Sequence, residues 1–220
     1  MPPTPTTPDK PDSAEAITAE RVRRAQATYA HHTVYRAGPD GARWTLMEQR
    51  PNGMFSTNMW AEVVVLDAGG LLVHGDRAAC VFAGFSGVGP RATVHWIGGN
   101  PDLDYAAKKA RRGLDAPALV EELDLRVLLH DLAEHLRTWH ARCGETCPPA
   151  KRRALKAVRR RLSATVGPMP QYVLHGALHE LCDRGVLDGE EAAGMGLLTT
   201  TRVIEAHAVL MRLDALLPGV

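Results

Sequence analysis

In the stretch HGALHELC, His175, His179 and Cys182 stand at i, i+4 and i+7. At about 100° per residue this spacing brings all three to one side of a helix. Two imidazoles four residues apart and a thiolate are the donors from which a zinc site is built. The set therefore marks a candidate metal centre, with zinc as the expected ion. Metalloprotease chemistry would also need a glutamate directly after the first histidine, and Gly176 occupies that place. His140, Cys143 and Cys147 in WHARCGETC could complete the shell if the two helices met. The five-residue steps between His130, His135 and His140 turn a helix by about 140° each, so those imidazoles cannot share an ion.

A second candidate is electrostatic. KRRALKAVRRR carries Lys151, Arg152, Arg153, Lys156, Arg159, Arg160 and Arg161, seven cations with no acid among them. A helix of this kind neutralises phosphates and releases counterions, which makes nucleic acid its natural ligand. It has neither aromatics for stacking nor amides for reading base edges, so the contact expected is with the backbone. The stretch from Asp115 to His135 is mainly acidic, and pairing with it would satisfy much of that charge internally.

The third candidate is His74-Gly75-Asp76, within LLVHGDRAACVF. A histidine base needs an orienting acid, and the linear sequence identifies none. Gly75 and Asp76 suit a hairpin corner, glycine by its freedom at positive φ and aspartate by bonding its own downstream backbone. The reading is a turn. Phosphate-binding, dinucleotide-binding, serine-nucleophile and kinase signatures are all absent. GFSGVGP, residues 84–90, has neither the lysine nor the following helix of a phosphate loop and reads as a connection between strands.

The elements that must position these residues follow from periodicity. The runs 43–48, 58–66, 70–74, 78–84 and 91–97 are rich in β-branched or aromatic residues and are separated by Gly, Pro, Asp or Asn. Their connections are too short for parallel crossovers, so an antiparallel sheet of four to five strands is expected. A helix capped by Ser13 precedes it. Helices follow over 101–113, from Asp115 and Pro117 to about 142, from Cys147-Pro148-Pro149 to the break at 166–170, over 170–184 and over 198–217. Strands first and four to five helices after make an α+β protein. One domain is expected over 15–220, its sheet part at 43–98 and its helical part at 101–217, behind a disordered Pro- and Thr-rich tail at 1–14.

The 220 residues suffice for a packed core without disulfide or metal staples. A hydrophobic share of 45% and a charged share of 23% are those of a globular protein. No apolar run nears the roughly 18 residues of a membrane span, and the N-terminus has no secretory pattern. The expectation is a cytoplasmic protein with no membrane partner and four reduced cysteines. A net charge of +1 leaves binding to local patches rather than to the whole surface.

Three segments carry a resemblance. VVVLDAGGLLVHGDRAACVF is an apolar strand, a glycine turn, a Gly-Asp strand end and a Val-Phe strand in series. DLDYAAKKA follows as a Tyr-x-x-Lys helix start, and RVIEAHAVLMRLDAL as a C-terminal helix with an apolar-His-Ala-apolar core. Together they resemble a family of uncharacterised bacteriophage and prophage proteins. That resemblance implies a small accessory protein of a mobile element, with no catalytic residues to carry over. The function expected is non-enzymatic: binding a host or phage macromolecule, a protein partner first, in modulation of host defence or replication. A nucleic-acid module on 151–161 and a metal-dependent protein on His175, His179 and Cys182 are the alternatives.

Overall fold

The computed structural model describes residues 13–67, 69–85, 88–113, 121–143, 148–164 and 169–218. The tail expected at 1–14 falls outside them up to residue 12. The helix start expected at Asp115 and Pro117 and most of the break at 166–170 also lie outside.

The chain divides into two compact units, and the division does not follow a sequential boundary between sheet part and helical part. One unit takes Ala19–Glu121 and Thr199–Val220; the other takes Met1–Thr18 and Glu122–Leu198. Helix α1 (Ala14–Tyr29) gives its first residues to the second unit and the rest to the first. Ser13 caps it, its hydroxyl accepting from Ala16 N at 3.3 Å.

The first unit holds an antiparallel sheet in the order β1 (His32–Ala37), β2 (Arg43–Gln49), β3 (Phe55–Leu66), β4 (Gly70–Gly75) and β5 (Ala79–Ala83). Consecutive strands pair because each connection is short. Gly69, at φ 77°, closes the turn from β3 to β4. Period-2 alternation turns Leu46, Ala61, Val63, Leu71, Val73 and Phe82 to one face, where each is fully buried. Burying one Val, Leu or Phe side chain stabilises by roughly 1.5–3 kcal/mol. Helices α2 (Pro90–Gly98), α3 (Leu103–Gly113) and α8 (Thr201–Leu216) complete this core, α8 returning from the far end of the chain to pack on α2, α3 and β5.

The sheet departs from the expected strands at two places. RATVHWI is a helix rather than a strand: Pro90 opens it, and Thr93, Val94, Ile97 and Gly98 are buried at helical spacing. Its β-branched content resembled a strand, but packing against α8 decided otherwise. The sheet keeps five strands because β1, absent from the expected runs, takes the edge.

The second unit is mainly helical. It contains, all but the terminal residues Glu121 and Thr199, a two-stranded ribbon of β6 (Glu121–Leu123) and β7 (Leu197–Thr199), then α4 (Leu125–Cys143), α5 (Pro149–Ser163), α6 (Gln171–Asp183) and α7 (Gly189–Gly194). Helix α4 starts at Asp124, whose carboxylate accepts from Arg126 N at 2.8 Å and from Val127 N at 3.4 Å. Its core joins Leu128 and Leu132 to Leu155, Val158 and Leu162 and to Leu174 and Leu181. The described helices number eight rather than four to five, since α2 and α7 were not expected and α1 stands apart from the helical run. The α+β class with an antiparallel sheet ahead of the helix-rich region holds. None of these helices is long and apolar enough to cross a membrane.

Candidate nucleic-acid interface

Helix α5 begins with Pro149 in its first turn, where a missing N–H costs nothing. Ala154, Leu155, Val158 and Leu162 form its buried stripe. Anchored by that stripe, the helix turns Arg152, Arg153, Lys156, Arg159, Arg160 and Arg161 outward, all exposed, with Lys151 half-buried. Arg160 and Arg161 lie in the last turn, where cations suit the helix dipole. Lys151 and Arg152 lie near the first, where they oppose it at about 0.3–1 kcal/mol each. An arrangement optimised for stability alone would not place cations at that end.

Among the described residues, the internal neutralisation expected from the acidic stretch does not extend to this face. Arg161 Nη2 meets Glu180 Oε2 at 2.6 Å. Among the described residues, Arg152, Arg153, Lys156, Arg159 and Arg160 have no carboxylate within ion-pair distance. The acids of α4 are engaged elsewhere: Asp131 accepts from Gly196 N at 2.8 Å, and Glu134 pairs with Arg137 at 2.7 Å.

The surface is concave as well as basic. A groove of about 520 Å³ runs over Leu136 and Ala157 and is walled by Arg153, Lys156, Arg159 and Arg160. A second, of about 400 Å³, is walled by Arg126, His130, Arg137 and the same Arg159. Arg159 thus stands between two basic grooves, its carbonyl accepting from the Ser163 hydroxyl at 2.8 Å. Sequence reasoning found the α5 cations but missed Arg126, which sits within the stretch read as acidic, and Arg137, two residues past its end.

The candidate metal ligands are placed differently from their wheel positions. His175 is exposed, and His179 Nδ1 lies 3.0 Å from Asp183 Oδ2 one turn on. Cys182 is half-buried against the α6 core, because the turn after the helix folds back and its thiol reaches Asp188 O at 3.8 Å. Among the described residues no three His, Cys, Asp or Glu are grouped to hold a metal ion. The side chains of His140, Cys143 and Cys147 lie outside the described residues.

His74-Gly75-Asp76 does lead into the β4–β5 hairpin, though for other reasons than those expected. Gly75 does not take positive φ; a Cβ there would come within 2.3 Å of Trp60 O, so close approach of β3 demands glycine. Asp76 accepts from Trp60 N at 3.0 Å rather than from its own downstream backbone. The orienting acid missing from the linear sequence is Glu62, 2.8 Å from His74 Nε2.

A buried polar cluster was also missed. Glu205 of α8 is 3% exposed, its Oε1 3.3 Å from Arg77 Nη2, and it bonds the Tyr29 hydroxyl. Burial raises the Glu205 pKa, against the pull of Arg77 and the Tyr29 bond. Its signal in the sequence is one acid inside the apolar run VIEAHAVL. His207 is 2% exposed and meets Asn100 O at 2.9 Å, so it is a hydrogen-bonded core histidine.

The chain matches no protein-family model, no curated protein and no solved structure.

Proposed function

We propose that this chain works by binding rather than by catalysis, in the cytoplasm, and that the macromolecule it holds is a nucleic acid seated on the grooves of α4 and α5. The reading narrows the expectation of an accessory protein of a mobile element to one class of partner. The observation that carries it is Arg159, shared by two basic grooves and flanked by Arg153, Lys156 and Arg160 without carboxylate partners among the described residues. Unpaired cations along a concave track suit a phosphate backbone, whose neutralisation releases counterions. Among the described residues the groove walls carry no Phe, Tyr or Trp and no side-chain amide, so the contact is chiefly with the backbone and independent of base sequence.

The test is fluorescence anisotropy with labelled duplex DNA and RNA over a range of salt. Neutralising four to six phosphates gives log K against log salt a slope of about −4 to −5. Replacing Arg153, Lys156, Arg159 and Arg160 by Gln is expected to weaken binding at least tenfold and flatten that slope by about three to four. These side chains are exposed, so circular dichroism should be unchanged. Binding indifferent to salt, or undiminished in the variant, would end the proposal.

A further inference from the structure

The other unit presents a surface of a different kind. Tyr35 and Phe55 are 56% and 36% exposed and meet edge to face, ring centroids 4.9 Å apart at 69°. Met54 beside them is 59% exposed. Two irregularities in the sheet create this patch. Between Val34 and Arg36 the β1–β2 register shifts by one, so Tyr35 is the extra residue of a bulge and turns out with Arg36. Between Met47 and Gln49 the β2–β3 register shifts again, which sets Phe55 opposite Gln49 on the face away from the core.

Along that open face, a row of directly paired residues crosses four strands: Arg36, Thr45, Glu62 and His74. Glu62 is the acid of the row, and its carboxylate is held by His74 at 2.8 Å and Arg43 at 3.7 Å. Arg36 has no carboxylate partner among the described residues. A pocket of about 240 Å³ opens between Arg36, Arg43, Thr45, Glu62 and the Gly38-Pro39 turn, the Glu62 carboxylate being the one already held by His74 and Arg43. The patch thus sets two exposed rings beside a pocket walled by two guanidiniums and the Glu62 carboxylate that Arg43 and His74 hold.

We infer that this open sheet face is a single-stranded nucleic-acid site, in which bases stack on Tyr35 and Phe55 and a neighbouring phosphate enters the Arg36–Arg43 pocket. Aromatic faces accept any unpaired base, and an adjacent arginine supplies the backbone contact. The apolar patch is only three side chains wide and borders directly on charge. A standard protein interface needs about 800 Å² per partner and a broader apolar centre, so stacking fits this patch better than protein docking. The site lies in a different unit from the α5 grooves and does not rest on them: α5 takes the backbone alone, whereas this face requires unpaired bases.

Photocrosslinking of the full-length protein to an oligouridine carrying 5-iodouracil, with peptide mapping, locates the stacked base. The expected result is crosslinked peptides containing Tyr35 or Phe55. In anisotropy, Tyr35→Ala with Phe55→Ala should weaken oligouridine binding tenfold or more while leaving the salt slope unchanged, since stacking releases no counterions. Arg36→Gln should instead reduce the slope by about 0.7, the single-strand value for one phosphate. The α5 glutamine variant should still crosslink at Tyr35 or Phe55, which separates this site from the first. Crosslinks confined to 149–163, no crosslink at all, or undiminished affinity in the aromatic variant would overturn the inference. So would a change of the free protein from dimer to monomer on removing the two rings, which would make the face a contact between copies.

Discussion

Glu62 Oε2 lies 2.8 Å from His74 Nε2, the two residues standing directly opposite on β3 and β4, while the Trp60 ring meets the imidazole edge-on at 5.3 Å and 87°. The pair is partly exposed, the side chains 22% and 40% accessible, so solvent screens its attraction. It resembles half of an acid–base site, but no nucleophile completes it among the residues described around it. Its role is to fasten two strands. A double-mutant cycle on Glu62→Ala and His74→Ala by urea unfolding at pH 7 should give a coupling below about 1 kcal/mol, the range of cross-strand pairs. A coupling of several kcal/mol would mean a far more desolvated pair than the geometry allows.

Two helical glycines should respond oppositely to alanine. A Cβ at Gly98 would fall 2.3 Å from Leu210 O, because α2 and α8 approach through that position. The contact is with backbone and cannot yield cheaply, so Gly98→Ala should cost about 1–3 kcal/mol. Around Gly176, within α6, nothing lies within 4 Å of the added carbon. Gly176→Ala should stabilise by about 0.5–1 kcal/mol through helix propensity. Thermal melts of both variants check the pair, and a shift of the same sign in both would refute the packing argument.

What the sequence disclosed depended on the range of the interaction. The buried faces of α5 and α6 were legible, since Leu155, Val158 and Leu162, and Leu174, Leu178 and Leu181, repeat at the helical period within one element. The sheet core was legible for the same reason at period 2. Helix α2 was not, because RATVHWI has strand composition and only its partner α8, a hundred residues on, decides its state. The Glu62–His74 pair needed the β3–β4 register, which the turn at Gly69 sets. The basic grooves were half legible: α5 declared its charge, but Arg126 and Arg137 join it only once α4 and α5 pack.

The histidines of α6 give a further check. His179 already pairs with Asp183, and Cys182 turns toward Asp188, so a metal would have to break both contacts to gather its ligands. A chelator is expected to leave the melting temperature unchanged, and His175→Ala should shift stability by less than about 0.5 kcal/mol, as at an ordinary exposed position. Stoichiometric zinc in purified protein with a chelator-sensitive melt would reverse this expectation.

The buried titratable groups set a pH dependence with two opposed arms. Glu205 has its folded pKa raised above 4.5 by burial, so the folded state binds more protons than the unfolded chain once pH exceeds 4.5. Stability is therefore lost as pH rises from 4.5 through the folded value. His32 and His207 have folded pKa values lowered from 6.5, also by burial, so below 6.5 the unfolded chain takes up more protons. Stability is lost there as pH falls from 6.5 through their folded values. Glu205→Gln keeps the shape and removes the charge, and should abolish the first arm while leaving the second. His207→Gln retains a donor for Asn100 O and should weaken the second arm alone. Urea unfolding of the three proteins between pH 4 and 8 separates the contributions. A Glu205→Gln protein that still lost stability as pH rose from 4.5 would show that the carboxylate held by Arg77 and Tyr29 is not the group responsible.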